Sequence, residues 1–422
     1  EVIQYANTDQ LQFIADFECW QSDQISEEGF LRWLQYLIEA GDAKVLQWLI
    51  TTDFEVLIAG FKKYVTVLKP YHEETVDEVI GDNPYFTLDN LYYIMIDEEN
   101  METVQRPITI LFERQKHLYI NLVEGIMSEV DDIVEEEAFR DRVVRLSEKG
   151  FPALEEAMRI YRPLREGEWE RYARREQKPR GGQDQDGVLA LYPVVWREEK
   201  LFLDDVFASL ADLPPETVRS IYQELVWLSN KILMCEGGDE FSEEMVKKAF
   251  NHARYMLNCG LEALGGRDIS AARTALIECW IEYIFRHAST LLYDLRKRLE
   301  STVKMYWDFS LERMIDFLDH PYGATVRGIL QTRPCYFDPD HNEDFYRLRE
   351  FHSIDDIDRS EKRIDTVHAV MKLLATRIFR GWREYLREGA DTSHMEGSEV
   401  TLGTLLFTLF VCYSLDHTLE VR

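Results

Sequence analysis

Apolar side chains in this chain recur three and four residues apart in short runs, and polar or glycine residues cut the runs off again and again. Such spacing gathers the apolar residues on one side of a helix, and the interruptions keep each helix short. Ser26 stands where an N-cap belongs, ahead of Phe30, Leu31, Trp33, Leu34, Leu37 and Ile38, and Gly41 stands where that helix must stop. Asp42 is placed to cap Val45, Leu46, Trp48 and Leu49, and Asp53 to cap Val56, Leu57, Phe61 and Tyr64. Short helices joined by tight turns predict a superhelical, α-solenoid-like stack over residues 1–70.

Pro70 closes that run, and residues 71–162 read as a second helical region. A possible short strand lies near 91–96, where Leu91-Tyr92-Tyr93-Ile94-Met95-Ile96 is rich in aromatic and β-branched residues. Helical spacing returns from Pro107 to Tyr161. Pro163, Pro179, Gly181, Gly182 and Gly187 then interrupt a basic run, so 163–187 reads as a linker. Residues 188–422 read as a C-terminal helical domain. One helix starts at Pro214-Pro215 with Asp212 as its cap, another at Ser242 and ends at Gly265-Gly266. The periodic stretch 270–300 would reach roughly 46 Å as one helix, so a bend or break is expected within it. A last helix runs from a Ser360 cap through Ile364, Val367, Met371, Leu374, Ile378, Trp382 and Tyr385, with Arg377, Arg380, Arg383 and Arg387 on its other side. The predicted class is all-α: a short-helix, α-solenoid-like N-terminal part, a larger helical C-terminal unit, and at most a few short strands.

With 78 acidic against 48 basic residues, the formal charge is -30. That field repels phosphate backbones and anionic headgroups, which excludes nucleic acid as a partner, and it welcomes cationic protein segments and divalent ions. Thr401 to Leu415 is the one membrane-like stretch; it is short and carries Gly403, so it predicts a buried helix and no membrane insertion. The six cysteines form no CxxC unit. They read as free buried thiols of a reducing compartment, and a cytoplasmic location is expected. Glu1-Val2-Ile3-Gln4-Tyr5 has neither the basic nor the apolar part of a secretory signal, and the missing initiator Met predicts a fragment of a longer gene product.

Chemistry is thinly marked. No phosphate-cradling glycine loop, no HExxH and no GxSxG is present, so no catalytic residues are assigned. Asp365-x-x-His368 and Asp391-x-x-His394 are the nearest approaches to a Glu-x-x-His metal motif, and both histidines read as structural or surface groups. Glu278 and Glu282 would lie one turn apart on the long helix, with Glu282 pairing to Arg286 in an ordinary ladder. The most suggestive cluster runs from Asp338 to Asp344, where Asp338, Asp340, Asn342 and Asp344 alternate as the oxygen ligands of a calcium loop do. Glu343 occupies the position of the loop's obligatory glycine and Arg349 that of its bidentate glutamate. The pattern therefore predicts a solvated loop, with Mg or Ca as its candidate ion and no other cofactor.

Three strings resemble an uncharacterised bacterial protein family, a domain of unknown function. They are Asp16-Phe17-Glu18-Cys19-Trp20; Gly150-Phe151-Pro152 with Glu155-Glu156-Ala157 and Tyr161-Arg162-Pro163-Leu164; and Thr401-Leu402-Gly403-Thr404-Leu405-Leu406. The resemblance spans most of the chain and implies no chemistry; it also implies that the family's members extend further toward the N-terminus. The short N-terminal helices are similar as well to the cytoplasmic superhelical domain of bacterial magnesium transporters. The transporters' pore helices have no counterpart, so that likeness implies metal sensing at most. The expected function is a non-enzymatic helical scaffold or adaptor with a protein partner. The alternatives are a divalent-cation-responsive regulatory protein and, second, an enzyme with a dispersed active site.

Overall fold

Helices dominate and strands are few and short in the computed structural model, which describes residues 2–70, 84–96, 99–128, 130–165, 167–168, 199–236, 243–307, 310–339, 347–375 and 401–416. The expected all-α class is what the chain adopts. It divides into two units, Glu1–Ala157 with Leu233–Val246, and Met158–Ile232 with Lys247–Arg422.

The first unit begins with α1 (Val2–Tyr5), α2 (Thr8–Glu18), β1 (Trp20–Gln21), β2 (Gln24–Ile25), α3 (Glu27–Ala40), α4 (Asp42–Thr51) and α5 (Phe54–Lys62). Asn7 and Gln10 form a reciprocal capping box at α2, and Gly29 N donates to Ser26 Oγ at 3.1 Å, the cap expected for α3. Two expected caps are not made. Helix α4 starts at Asp42 itself, behind Gly41 at φ +110°, and the Asp42 carboxylate is taken by Arg106. Asp53 precedes α5 but its side chain caps nothing, because Arg145 binds it. Arg145 also grips Asp16 through two bonds of 3.0 and 2.7 Å. A charge-assisted pair outcompetes a local cap.

Three strands follow, β3 (Val65–Leu68), β4 (Tyr85–Phe86) and β5 (Tyr93–Ile96), in the antiparallel order β3-β5-β4. Val65 faces Ile96 and Val67 faces Ile94 in the register, and all four are buried, so Tyr93–Ile96, the last four residues of the 91–96 hexamer, forms the sheet's middle strand. Helices α6 (Met101–Arg114), α7 (Lys116–Ser128), α8 (Asp131–Glu148) and α9 (Leu154–Ala157) complete the unit. Helix α6 starts before Pro107, which lies buried inside it instead of opening it. The core gathers Phe30, Trp33, Trp48 and Phe61, with the two tryptophans edge to face at 6.1 Å. A Cβ at Gly60 would come within 2.2 Å of the Phe30 ring, so only glycine lets α5 approach α3 so closely.

In the second unit a 3₁₀ turn (Met158–Tyr161) is followed by α10 (Phe202–Ala208), α11 (Pro215–Glu236, of which the second unit holds the part up to Ile232), α12 (Glu243–Gly265, from Lys247 onward), α13 (Ile269–Glu278) and α14 (Ile281–Tyr306). The long periodic stretch does break, at Cys279 and Trp280, both extended. Glu278 and Glu282 thus lie on different helices. Glu282 accepts from Lys231 at 2.6 Å, and Arg286 turns instead to the Arg162 carbonyl, so the expected ladder is absent. Asp212 likewise caps no helix, its carboxylate being bound by Arg273 at 2.5 Å.

The unit continues with α15 (Leu311–Phe317), α16 (Tyr322–Ile329), the pair β6 (Tyr336–Phe337) and β7 (Leu348–Arg349), α17 (Ile354–Leu373) and α18 (Leu402–Asp416). Helix α17 starts behind Ser353, seven residues before the expected cap, with Asp355 and Asp356 favouring its N-terminal dipole. Ser360 is a fully buried interior residue in line with Ile357, Ile364 and Val367. The expected linker from 169 onward, and Arg377, Arg380, Arg383, Arg387, Asp391 and His394, lie outside the described residues.

Candidate functional site

Helix α12 is enclosed along its middle, where each residue from Ala249 to Glu262 is buried. Its sequence, Asn251-His252-Ala253-Arg254-Tyr255 with Asn258 and Glu262 beyond, has the polar spacing of a solvent-facing stripe. Here that stripe is interior, and each buried polar group then requires a partner. Arg254 donates to Asp204 at 2.9 Å, with its own side chain 0% exposed. Asn258 bridges two segments, accepting from Leu203 N and donating to the His352 carbonyl, both at 2.8 Å. Glu262 accepts from Ile354 N at 2.8 Å. The belt thus fastens the start of α10 and the segment after β7 to one central helix.

Arg349, at the end of β7, extends the belt. It donates to Asp338 at 2.8 Å and through two bonds to Asp356, and its guanidinium covers the Tyr336 ring at 4.6 Å. Burial works against its charge, but the bonds to Asp356 and then Asp338 outweigh it and hold the arginine's pKa above its ordinary value. Asp338, the first residue of the alternating acidic string, therefore sits at the neck of a hairpin with a guanidinium on its Oδ2. Asp340, Asn342 and Asp344 lie outside the described residues. Asp365 and His368 do not face a common ion: Asp365 pairs with Arg298, and His368 Nδ1 lies 3.0 Å from Thr302 Oγ1. Among the described residues, no three His, Cys, Asp or Glu side chains are grouped to hold a metal.

His352 stacks on Tyr255 with ring centroids 3.8 Å apart, and its Nδ1 lies 2.5 Å from Glu199. Burial, and then the nearby Arg349 charge, pull its pKa below the ordinary histidine value against the pull of Glu199. Burial does the same to His287. Both imidazoles bind protons less readily folded than unfolded, so their contribution to stability is full above the unfolded value of about 6.5 and is lost as the pH falls through it. Urea midpoints measured from pH 7.5 to 5.5 should fall, and His352→Gln should flatten the fall.

One turn of α12 keeps unmatched polar atoms. His252 is 8% exposed, and its Nδ1 lies 3.1 Å from Glu350 Oε2 but out of hydrogen-bond alignment. Its rings of contact are Tyr161 at 6.0 Å and Phe285 at 5.7 Å. The string Tyr161-Arg162-Pro163-Leu164 is pinned there by α14: Arg286 Nε donates to the Arg162 carbonyl at 3.2 Å and Leu164 N donates to Thr290 Oγ1 at 2.9 Å.

A second notable surface is α18. Leu402 and Leu405 are buried, and Gly403 N donates to Asp319 Oδ2 at 2.5 Å, which anchors the first turn. Burial of the whole helix was expected from its sequence, and that expectation fails. Leu406, Phe407, Phe410, Tyr413 and Leu415 are exposed, the two phenylalanines by 68% and 67%. No helix among the described residues is long and apolar enough to cross a membrane.

A sequence model of a family of unknown function, DUF6178, matches residues 1–422. The chain belongs to this family. The three strings that resemble an uncharacterised family occupy structural joints in this DUF6178 chain: Asp16 holds Arg145, Phe17 packs against Phe151 at 5.3 Å, Tyr161 faces His252, and Gly403 seats α18 on Asp319. No curated protein and no solved structure matches the chain, so the likeness to magnesium transporters finds no support there. DUF6178 membership carries no activity with it.

Sequence reasoning did not single out His252, Glu350 or Arg254. Only Tyr161 carried a signal, through its place in the most specific of the three strings.

Proposed function

We propose that the protein is a non-enzymatic helical adaptor that receives a basic amphipathic helix of another protein on the exposed face of α18. The observation that carries this reading is the combination of apolar exposure and absent charge on that helix. Leu406, Phe407, Phe410, Tyr413 and Leu415 present on the order of several hundred Å² of apolar surface, a patch size that marks interaction sites. Residues 402–415 contain no charged side chain, while Asp319 lies under the first turn and Asp416 ends the helix. An apolar strip with acidic ends, on a chain of charge -30, is complementary to an apolar stripe rimmed by Lys and Arg. The same charge disfavours a second copy and an anionic bilayer.

The test uses two synthetic helical peptides with one leucine stripe, rimmed by Lys or by Glu, titrated against the full chain by fluorescence anisotropy. The Lys peptide should bind at least about tenfold more tightly than the Glu peptide, and Phe407→Ser with Phe410→Ser should weaken it by about 2–4 kcal/mol, the scale of interfacial aromatic anchors. Equal binding by the double variant would reduce the attraction to bulk charge and reject the site. Self-association or vesicle binding abolished by the same double variant would assign the face to a different occupant and reject the adaptor reading.

A further inference from the structure

Resting on the adaptor reading, we propose that Asp319 sets the register of the partner helix by pairing with a basic residue that stands in line with the partner's apolar stripe. In α18, Gly403, Phe407, Phe410 and Ser414 follow one another at steps of four, three and four, the spacing that keeps residues on one line of a helix. All four are exposed, and the two phenylalanines are the large groups among them. Ser414 Oγ donates to the Phe410 carbonyl at 2.8 Å, so its hydroxyl is turned back on the helix and needs no partner outside it. From Phe407 onward the line therefore offers apolar contact.

At its other end the line meets a carboxylate. Asp319 Oδ2 accepts from Gly403 N at 2.5 Å, and a Cβ added at Gly403 would stand 3.0 Å from that oxygen and 3.3 Å from Oδ1. The carboxylate thus lies where a side chain of residue 403 would begin, and glycine leaves it that space. A carboxylate offers about four acceptor positions, of which Gly403 N takes one. Asp319 is half-buried, so a group laid on the helix can reach it, and among the described residues no Lys, Arg or His is paired with it.

The next exposed group on the line, Phe407, lies one turn away, roughly 6 Å along the axis. A partner residue one turn beyond the anchor that covers Phe407 therefore faces Asp319. Arginine suits that place: its guanidinium grips a carboxylate through two N–H groups and lies well against an aromatic face. A leucine there would strip water from the carboxylate without pairing it, and an acidic residue would be repelled. The site thus discriminates among amphipathic helices by the residue that begins their stripe as well as by the charge on their rims.

The probes are two helical peptides with Lys on both rims and a stripe of one basic position followed by three leucines at steps of four, three and four. One carries Arg at the first stripe position and the other its uncharged isostere citrulline. Both are titrated by fluorescence anisotropy against the full chain and against Asp319→Asn, in which an amide oxygen can still accept from Gly403 N. Citrulline should weaken binding about fivefold on the unmodified chain and less than about twofold on Asp319→Asn. A second pair begins the stripe with Leu and carries Arg or citrulline on a rim; there both proteins should show the same loss, which isolates Asp319 from the charge of the whole chain. An equal loss in both proteins for the first pair, or no loss on the unmodified chain, overturns the assignment of Asp319. If Phe407→Ser with Phe410→Ser still weakens those peptides, the adaptor reading stands without it. Binding that survives the double phenylalanine variant rejects the adaptor reading and this inference with it.

Discussion

Asp204→Ala is expected to destabilise the second unit by about 3–5 kcal/mol, because it takes a paired carboxylate away from a fully buried guanidinium. The Arg254 side chain is 0% exposed and that of Asp204 5%, with 2.9 Å between them. Asp204 also accepts from Leu201 N at 2.9 Å, so its loss frees the start of α10 as well. The double change Asp204→Leu with Arg254→Met should cost far less than the single one, since removing both charges leaves no unpaired ion in the interior. Urea unfolding of the three chains checks this order. A single variant within about 1 kcal/mol of the parent would place Arg254 near water instead, where ion pairs are worth that little.

Gly260→Ala should also destabilise, with a sign opposite to helix propensity. On a free helix surface the change gains roughly 1 kcal/mol. At Gly260 the new Cβ would stand 2.4 Å from the Ile284 carbonyl oxygen and 2.9 Å from its side chain, so the backbones of α12 and α14 must part. Overpacking of this kind costs about 1–3 kcal/mol, more where backbone is the obstacle. A Tm lowered by several degrees is the expected readout; a raised Tm would show that the two helices are not in backbone contact.

The sequence was most readable where one physical effect acted alone. Ser26 capped α3 and Gly41 ended it because nothing nearby competed for either residue. The break in the 270–300 stretch could be expected from length, although only the structure puts it at Cys279 and Trp280. Failures arose where distant groups overruled local preference. Asp53 gave up its cap to Arg145, 92 residues away, and Glu282 bound Lys231 instead of its helical neighbour Arg286. Ser360 looked like a helix start because serine caps helices, yet it is a small residue in a packed stripe.

The candidate sites were the least legible. The polar face of α12 reads as solvent-facing, because periodicity reports that polar residues share a side and not what covers that side. Its partners are Leu203, Asp204, His352 and Ile354, far along the chain, so no local pattern could reveal them. Helix α18 erred in the opposite sense: apolar residues all round predicted burial, and among the described side chains Leu402 and Leu405 are covered while Leu406, Phe407, Phe410, Tyr413 and Leu415 are exposed.

That α12 is the enclosed axis of the second unit is best tested by hydrogen exchange on its backbone amides. Residues 249–262 should be among the slowest to exchange, with a urea dependence equal to that of global unfolding, because no smaller opening frees a helix held on all sides. Exchange complete within seconds and indifferent to urea would mean that α12 opens on its own and that its polar stripe faces water.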